Sequence, residues 1–237
     1  MKLPLVSVII PTLNEENYIE NTLKVIRNQD YKGKYEIILA DAMSTDKTVQ
    51  IARKYCDKIV VVKKRGISLG RNAGANSADG EILVFVDSDT ILLPNTIQEL
   101  IKPFRRKNVV ATICTLLPLS NKKLYHILSP IGNVFIRMSI RLKKAHLPGI
   151  CFACRVDSFM KVNGFDNSKK NIEDFDFSMR LNKLGEICFT DKTKVFTSMR
   201  RFEKWGVMKA VKEYSNAYFP FIINKKRVNS QKFQPVR

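Results

Sequence analysis

The chain has 237 residues, 45% of them apolar, and a formal charge of +19. Its length suits one large α/β domain or two small ones, and its apolar fraction is that of an ordinary globular protein. No stretch approaches the roughly 18 apolar residues of a membrane-crossing helix, and the apolar part of MKLPLVSVIIPT is too short for a secretion signal, so a cytoplasmic protein is expected.

In chain order, PLVSVII is an apolar run closed by Pro11 and reads as a first strand. EENYIENTLKVIRNQ follows, with Ile19, Leu23 and Ile26 at helical spacing and Asn14 placed to cap them. YEIILA is a second strand. STDKTVQIARKYC predicts a helix with Ser44 ahead of it and Val49, Ala52 and Cys56 along one face. KIVVV is a third strand, SLGRNAGANSA a short helix of small residues, and EILVFV a fourth strand. This order predicts an α/β fold, a mainly parallel central sheet flanked by helices. Ligands of such sheets bind beyond the carboxyl ends of the strands. Three of those ends are polar: Pro11 to Glu15 after the first strand, Asp41 after the second, and Asp87 with Asp89 after the fourth.

Asp87 and Asp89 stand at i and i+2 of an extended run, so they point to the same side. Each charge disfavours ionisation of the other, and a cation between them would remove that cost. The other reading is turn chemistry, since Asp and Ser end many strands.

Beyond residue 100 the pattern changes. NTIQELIKPFRRK predicts an amphipathic helix and VVATICTLL a strand. Residues 121–144 mix apolar and basic side chains around a break at Pro130. GICFACR reads as a strand, VDSFMKVNGFD as a short helix and turn. NIEDFDFSMRLNKLG reads as a helix with Phe177, Leu181 and Leu184 in line and Gly185 as its stop. Two short strands, a helix over WGVMKAVKEYSNAYFPFII and a polar tail complete the chain.

Charge follows the same division. Residues 1–100 hold 13 Lys and Arg against 13 Asp and Glu, whereas residues 101–237 hold 28 against 9, so the whole excess lies in the second part. Such a field favours anionic partners: nucleic acid, anionic lipid headgroups or phosphorylated small molecules. Five scattered cysteines include Cys151 and Cys154 in a C-x-x-C, but no second pair completes a zinc site, and a strand would turn the two thiols to opposite faces. His126 and His146 carry no partner motif.

VSVIIPTLNEENYIENTL, YEIILADAMSTDKT, RNAGANSADGEILVFVDSDT and GFDNSKKNIEDFDFSMRLNKLG resemble, in order, the signatures of family-2 inverting glycosyltransferases, enzymes of the GT-A nucleotide-sugar transferase fold. The resemblance runs from about residue 5 to residue 206. It implies a single domain over 1–222, with residues 1–100 binding the nucleotide-sugar and residues 101–222 the acceptor, followed by a basic tail, 223–237.

What the resemblance implies about the site can be stated residue by residue. Asp89, with Asp87, would hold Mg²⁺ or Mn²⁺ against the donor diphosphate, where a hard cation stabilises the charge of the leaving group. Asp87 would also serve the donor's ribose. Pro11, Leu13 and Glu15 match the nucleotide-cradling loop, and Arg71 a position near the diphosphate. Asp41 matches the first acidic position of the second-strand motif. Ala42 stands where many members carry a second Asp, which leaves Asp41 as the sole acidic candidate for base recognition. Asp174 is the implied general base, taking a proton from the acceptor hydroxyl as that oxygen attacks the anomeric carbon. Glu173 precedes it. Asp174 also fits a helix cap. TSMRRFEKWG resembles more loosely a segment that closes over donor phosphate and acceptor, with Arg200, Arg201 and Trp205 as contacts.

Two other classes compete with this reading. A nucleotidyltransferase would share the sheet and acidic ligands, but PTLNEEN lacks its Gly-rich phosphate loop. A basic nucleic-acid-binding protein would explain +19, but no helix-turn-helix, zinc or RNA-binding signature is present. The transferase reading carries two expectations: a UDP- or GDP-sugar as donor, and a lipid-linked acceptor at the inner face of the cell membrane. The second rests on residues 121–144, where Leu124, Ile127, Leu128, Ile131, Phe135, Met138 and Ile140 stand beside Lys122, Lys123, Arg137, Arg141, Lys143 and Lys144, a mixture suited to an interfacial helix.

Overall fold

Strand alternation builds the core. Val6, Val8 and Ile10 of β1 (Val6–Thr12) join one buried cluster and Ile9 joins another. Ile82, Val84 and Val86 of β4 (Ile82–Val86) divide from Leu83 and Phe85 in the same way. Both faces of the sheet are therefore covered, as a two-residue period with apolar residues at every position requires. The structure, a computed structural model, describes residues 3–169, 172–210, 212, 213 and 216.

The eight strands form one sheet in the order β3-β2-β1-β4-β7-β6-β8-β5. β1, β2 (Tyr35–Asp41), β3 (Lys58–Val61) and β4 are mutually parallel, as the βαβ pattern predicts. β7 (Cys151–Arg155) then runs antiparallel to β4 and to β6 (Val109–Leu119). β8 (Glu186–Ser198) lies parallel to β6 and antiparallel to β5 (Thr90–Leu92). The sheet is thus parallel through its first four strands and mixed beyond. Cys151 and Cys154 fall in the two opposite clusters, so the C-x-x-C is packing.

Helices α1 (Ile19–Arg27), α2 (Thr48–Ala52) and α4 (Thr96–Ile101) cover one face. α3 (Ile67–Asn76), α5 (Lys123–Arg141), α6 (Val156–Lys161) and α7 (Glu173–Leu181) cover the other, and α8 (Arg200–Trp205) follows β8. The small residues of α3 let it lie hard against the sheet: a Cβ on Gly74 would fall 2.5 Å from Ile9 Cγ2.

Several local expectations are corrected. Asn14 does not cap α1, which begins at Ile19. Asn14 takes a left-handed φ of 55°, which Asn tolerates well, and its Oδ1 accepts the Thr45 amide at 2.8 Å. The helix at NTIQELI gives way to a 3-10 turn at Lys102–Arg105, where Pro103 cannot continue the backbone ladder. Pro130 does not break its segment: α5 runs through it for 19 residues. α7 ends at Leu181, leaving Leu184 exposed, and Gly185 serves close approach instead, since a Cβ there would lie 2.4 Å from the Asn108 carbonyl oxygen. The two short strands before α8 are one strand, β8. It skips from Thr190 to Lys194 in its pairing with β6. The expected helix from Trp205 is helical over 207–210, and the rest of it, with the tail 223–237, falls largely or wholly outside the described residues. No described helix is long and apolar enough to cross a membrane.

Candidate active site

The carboxyl ends of β1, β2 and β4 lie side by side, and their loops are stitched together. The Glu15 amide donates to Thr48 Oγ1 at 2.7 Å and the Asn14 amide to Ser44 Oγ at 2.8 Å. Asp41, buried at the end of β2, accepts from Thr12 Oγ1 at 3.0 Å, from Ser44 Oγ at 2.5 Å and from the Ser44 amide at 2.8 Å. Its first effect is to set the shape of this edge. Pro11 pairs with Ala40 across the same edge, and Leu13 is half-buried beside it.

Asp87 and Asp89 follow β4. The Asp87 amide donates to the Ile150 carbonyl at 2.9 Å, and Thr22 Oγ1 donates to the Ser88 carbonyl at 2.8 Å, so the turn is held from both sides. Burial raises the Asp87 carboxyl above the usual range, against the pull of Arg71 and Arg201. Burial and the neighbouring Asp87 charge push Asp89 up to about 6, partly offset by Arg200. These are carboxylates whose ionisation needs cations, as their spacing suggests.

Two arginines supply that charge. Arg71, on α3, is fully buried. Its Nη2 lies 3.2 Å from Asp87 Oδ1 and 3.1 Å from the Gly149 carbonyl, while Nη1 reaches Glu173 Oε1 at 3.2 Å. Burial works against its charge, but Asp87, Glu173 and Asp174 hold it protonated. Arg200 grips Glu15 with two bonds of 2.7 and 2.8 Å and places Nε 3.0 Å from Asp89 Oδ2. Arg200 also lies over the Tyr18 ring, and Arg201 over Trp205.

The second half contributes α7. Asp174 Oδ2 accepts the Gly149 amide at 3.2 Å and stands 3.8 Å from His146 Nε2. Burial would raise this carboxyl, but the attraction of His146 and Arg71 and the Gly149 N–H outweigh it and keep it below the ordinary value. Glu173 goes the other way. Burial and the charge of Asp174 push it up to about 7, because Arg71 divides its attraction between Glu173 and Asp87. Gly149 must lack a side chain: a Cβ would fall 2.0 Å from Arg71 Nη2.

The fold therefore joins Asp87, Arg71, Glu173 and Asp174 in one network and Glu15, Arg200 and Asp89 in a second. His146 and Gly149 were not found from sequence. Their one signal was position, in the connection between α5 and β7. Among the described residues no group of three or more His, Cys, Asp or Glu side chains could hold a metal unaided. Asp87 and Asp89 offer hard oxygens suited to Mg²⁺ or Mn²⁺, and Arg200 marks the place of positive charge beside Asp89. The site fits a cation that shares its coordination with a bound ligand.

The model of the family described as "Glycosyl transferase family 2" matches residues 7–162. The chain belongs to glycosyl transferase family 2. Within the family, a region of 100 residues is 36% identical to poly(ribitol-phosphate) beta-N-acetylglucosaminyltransferase TarS of Staphylococcus aureus, covering 39% of this chain and 18% of TarS. Another region, of 107 residues, is 36% identical to a Campylobacter jejuni enzyme named GalNAc(5)-diNAcBac-PP-undecaprenol beta-1,3-glucosyltransferase, covering 42% of this chain and 34% of that one. The chain thus spans less than two thirds of these family-2 relatives. The fold is similar to that of a mannosyltransferase from Pyrobaculum calidifontis in complex with GDP-Man and Mn²⁺, with a TM-score of 0.75 at 21% identity over 94% of this chain and 65% of that one. It also resembles TarS residues 1–349 in complex with UDP-GlcNAc, with a TM-score of 0.66 at 21% identity over 84% of this chain and 59% of that one. The GT-A transferase fold expected from the motifs is the fold of this chain.

Proposed function

We propose that this chain transfers a hexose from a UDP- or GDP-sugar to an acceptor hydroxyl or phosphate, with inversion, residues 1–100 binding the donor and residues 101–222 the acceptor. The observation that carries the reading is Arg71. It bonds Asp87 at the donor edge and Glu173 beside Asp174, so groups 86 residues apart in sequence meet across one buried guanidinium.

Asp174 acts as general base: ionised and held by Gly149 and His146, it takes the proton of the acceptor hydroxyl as that oxygen attacks the anomeric carbon. The nucleoside diphosphate leaves from the opposite face, and a single displacement inverts the centre without an enzyme nucleophile. Pro11, Leu13, Glu15 and Asp41 line the nucleotide cradle, and Asp87 turns toward the ribose. Asp89, with Asp87, would hold Mg²⁺ or Mn²⁺. A divalent cation there neutralises the charge that builds on the departing diphosphate. Arg200 then leaves Asp89 and, with Arg201 and Trp205, closes over the phosphates. The Mn²⁺ in the mannosyltransferase complex and the undecaprenol in the Campylobacter enzyme's name support a metal-assisted reaction and a lipid-linked acceptor here.

Thermal unfolding with UDP- and GDP-sugars, with and without Mn²⁺, tests the reading. A donor at a hundred times its Kd should stabilise by about 2.7 kcal/mol, and only with metal. No stabilisation by any nucleotide-sugar would overturn it.

A further inference from the structure

We propose that the outer face of α5 docks on an anionic lipid bilayer. α5 has two apolar sides. One packs on the domain: Tyr125 and Ile136 are buried, and the buried Asn133 clips β6 by donating to the Leu116 carbonyl at 2.8 Å and accepting its amide at 2.9 Å. The other carries Leu124, Ile127, Ile131, Phe135, Met138 and, at the C-terminal cap, Leu142, each 51–67% exposed. Their steps of three and four residues place them in one strip about 27 Å long. Leu128 and Ile140, which the sequence grouped with them, are half-buried and belong to the inner side.

Contiguous exposed apolar surface of this extent marks an interaction site. Charge selects the occupant. Lys123, Arg141, Lys143 and Lys144 accompany the strip, all exposed, whereas Lys122 pairs with Glu203 at 3.5 Å and Arg137 turns to Asp191 and the Phe189 ring; residues 121–144 contain no Asp or Glu. A second copy of the chain would bring these cations against their own kind. Nucleic acid would satisfy the charge and leave the apolar strip in water. An anionic bilayer satisfies both, with the strip among acyl chains and the cations at the headgroups. The chain leaving α5 carries His146 and Gly149 to Asp174, so docking here would set the proposed base one connection away from the lipid surface. That last step rests on the transferase reading; the docking itself does not.

The test is co-sedimentation of the full chain with vesicles of phosphatidylcholine and with vesicles of phosphatidylcholine and phosphatidylglycerol, without donor or metal. Failure here is thus separable from failure of the transferase reading. Wild type should pellet with the anionic vesicles only, and less as salt shortens the reach of surface charge. Ile131→Glu, at an exposed position, should unfold at the wild-type temperature and bind roughly tenfold more weakly, and Lys143→Gln with Lys144→Gln should weaken binding comparably. No pelleting at low salt would overturn the proposal, as would unchanged binding by Ile131→Glu. So would a wild-type dimer that Ile131→Glu dissociates, since a second copy would then be the occupant.

Discussion

Arg200 Nε lies 3.0 Å from Asp89 Oδ2, so a guanidinium stands beside the carboxylate proposed to hold the divalent cation. Its charge is sustained against burial by Glu15 and Asp89. A cation entering the site must displace it.

Arg200→Ala should therefore bind Mn²⁺ more tightly than wild type when no donor is present, read as a larger Mn²⁺-induced rise in Tm. The metal-free variant should lose about 1–3 kcal/mol, because two largely buried carboxylates lose their partner. Equal Mn²⁺ responses in both proteins would refute the competition.

Asp89→Ala should abolish Mn²⁺-dependent donor binding while the chain still folds, since Asp89 lies past the end of β4 and outside both apolar clusters. Calorimetric titration of donor with and without Mn²⁺ measures this. Normal metal-dependent affinity would remove Asp89 from the metal site.

Asp174→Asn keeps an oxygen for the Gly149 amide but cannot take a proton. Transfer should fall roughly 10²–10⁴-fold with donor affinity unchanged. Unchanged turnover would exclude Asp174 as base, and lost donor binding would make it structural.

Glu173 gives a pH signature. Its carboxyl is raised to about 7 by burial and by Asp174, above its ordinary value of 4.5. Between those pH values the folded state binds more proton than the unfolded state, so this group's contribution to stability falls as pH rises through the window. Wild-type Tm should drop more steeply over that interval than the Tm of Glu173→Gln. Parallel curves would contradict the assignment.

Gly149→Ala should displace Arg71, because the new Cβ would meet Nη2 at 2.0 Å. Overpacking of this kind costs about 1–3 kcal/mol. The informative result is a loss of transfer out of proportion to the loss of Tm, since Arg71 orders both halves of the site.

The sequence makes the parallel half legible because each strand there is a continuous apolar run, each helix has its own period, and the polar residues collect at the strand ends. Arg71, Asp87 and Asp174 could be named in advance because their motifs are local. Position-specific expectations failed where long-range packing decides. Pro130 sits in α5 without ending it, and β8 stays one strand because β6 pairs with both of its parts. His146 and Gly149 gave no sign of their place beyond their position in the chain, because what defines them is a neighbour on another element: Asp174 for one, Arg71 for the other. Arg200 was expected to contact phosphate, and its bond to Glu15, a residue 185 positions away, could not be read from the sequence.

The single guanidinium shared between Asp87 and Glu173 limits how this protein can be recombined. Grafting a foreign second half onto residues 1–100 would import whatever that half carries at position 173 and in the connection at position 149. A graft lacking the carboxylate would strand half of a buried cation, and one with a side chain at 149 would push it out of place. Specificity swaps in this scaffold should therefore be cut so that Arg71, Gly149 and Glu173 travel as one heritable unit, and a library scored for soluble expression would reveal whether mismatched trios are purged.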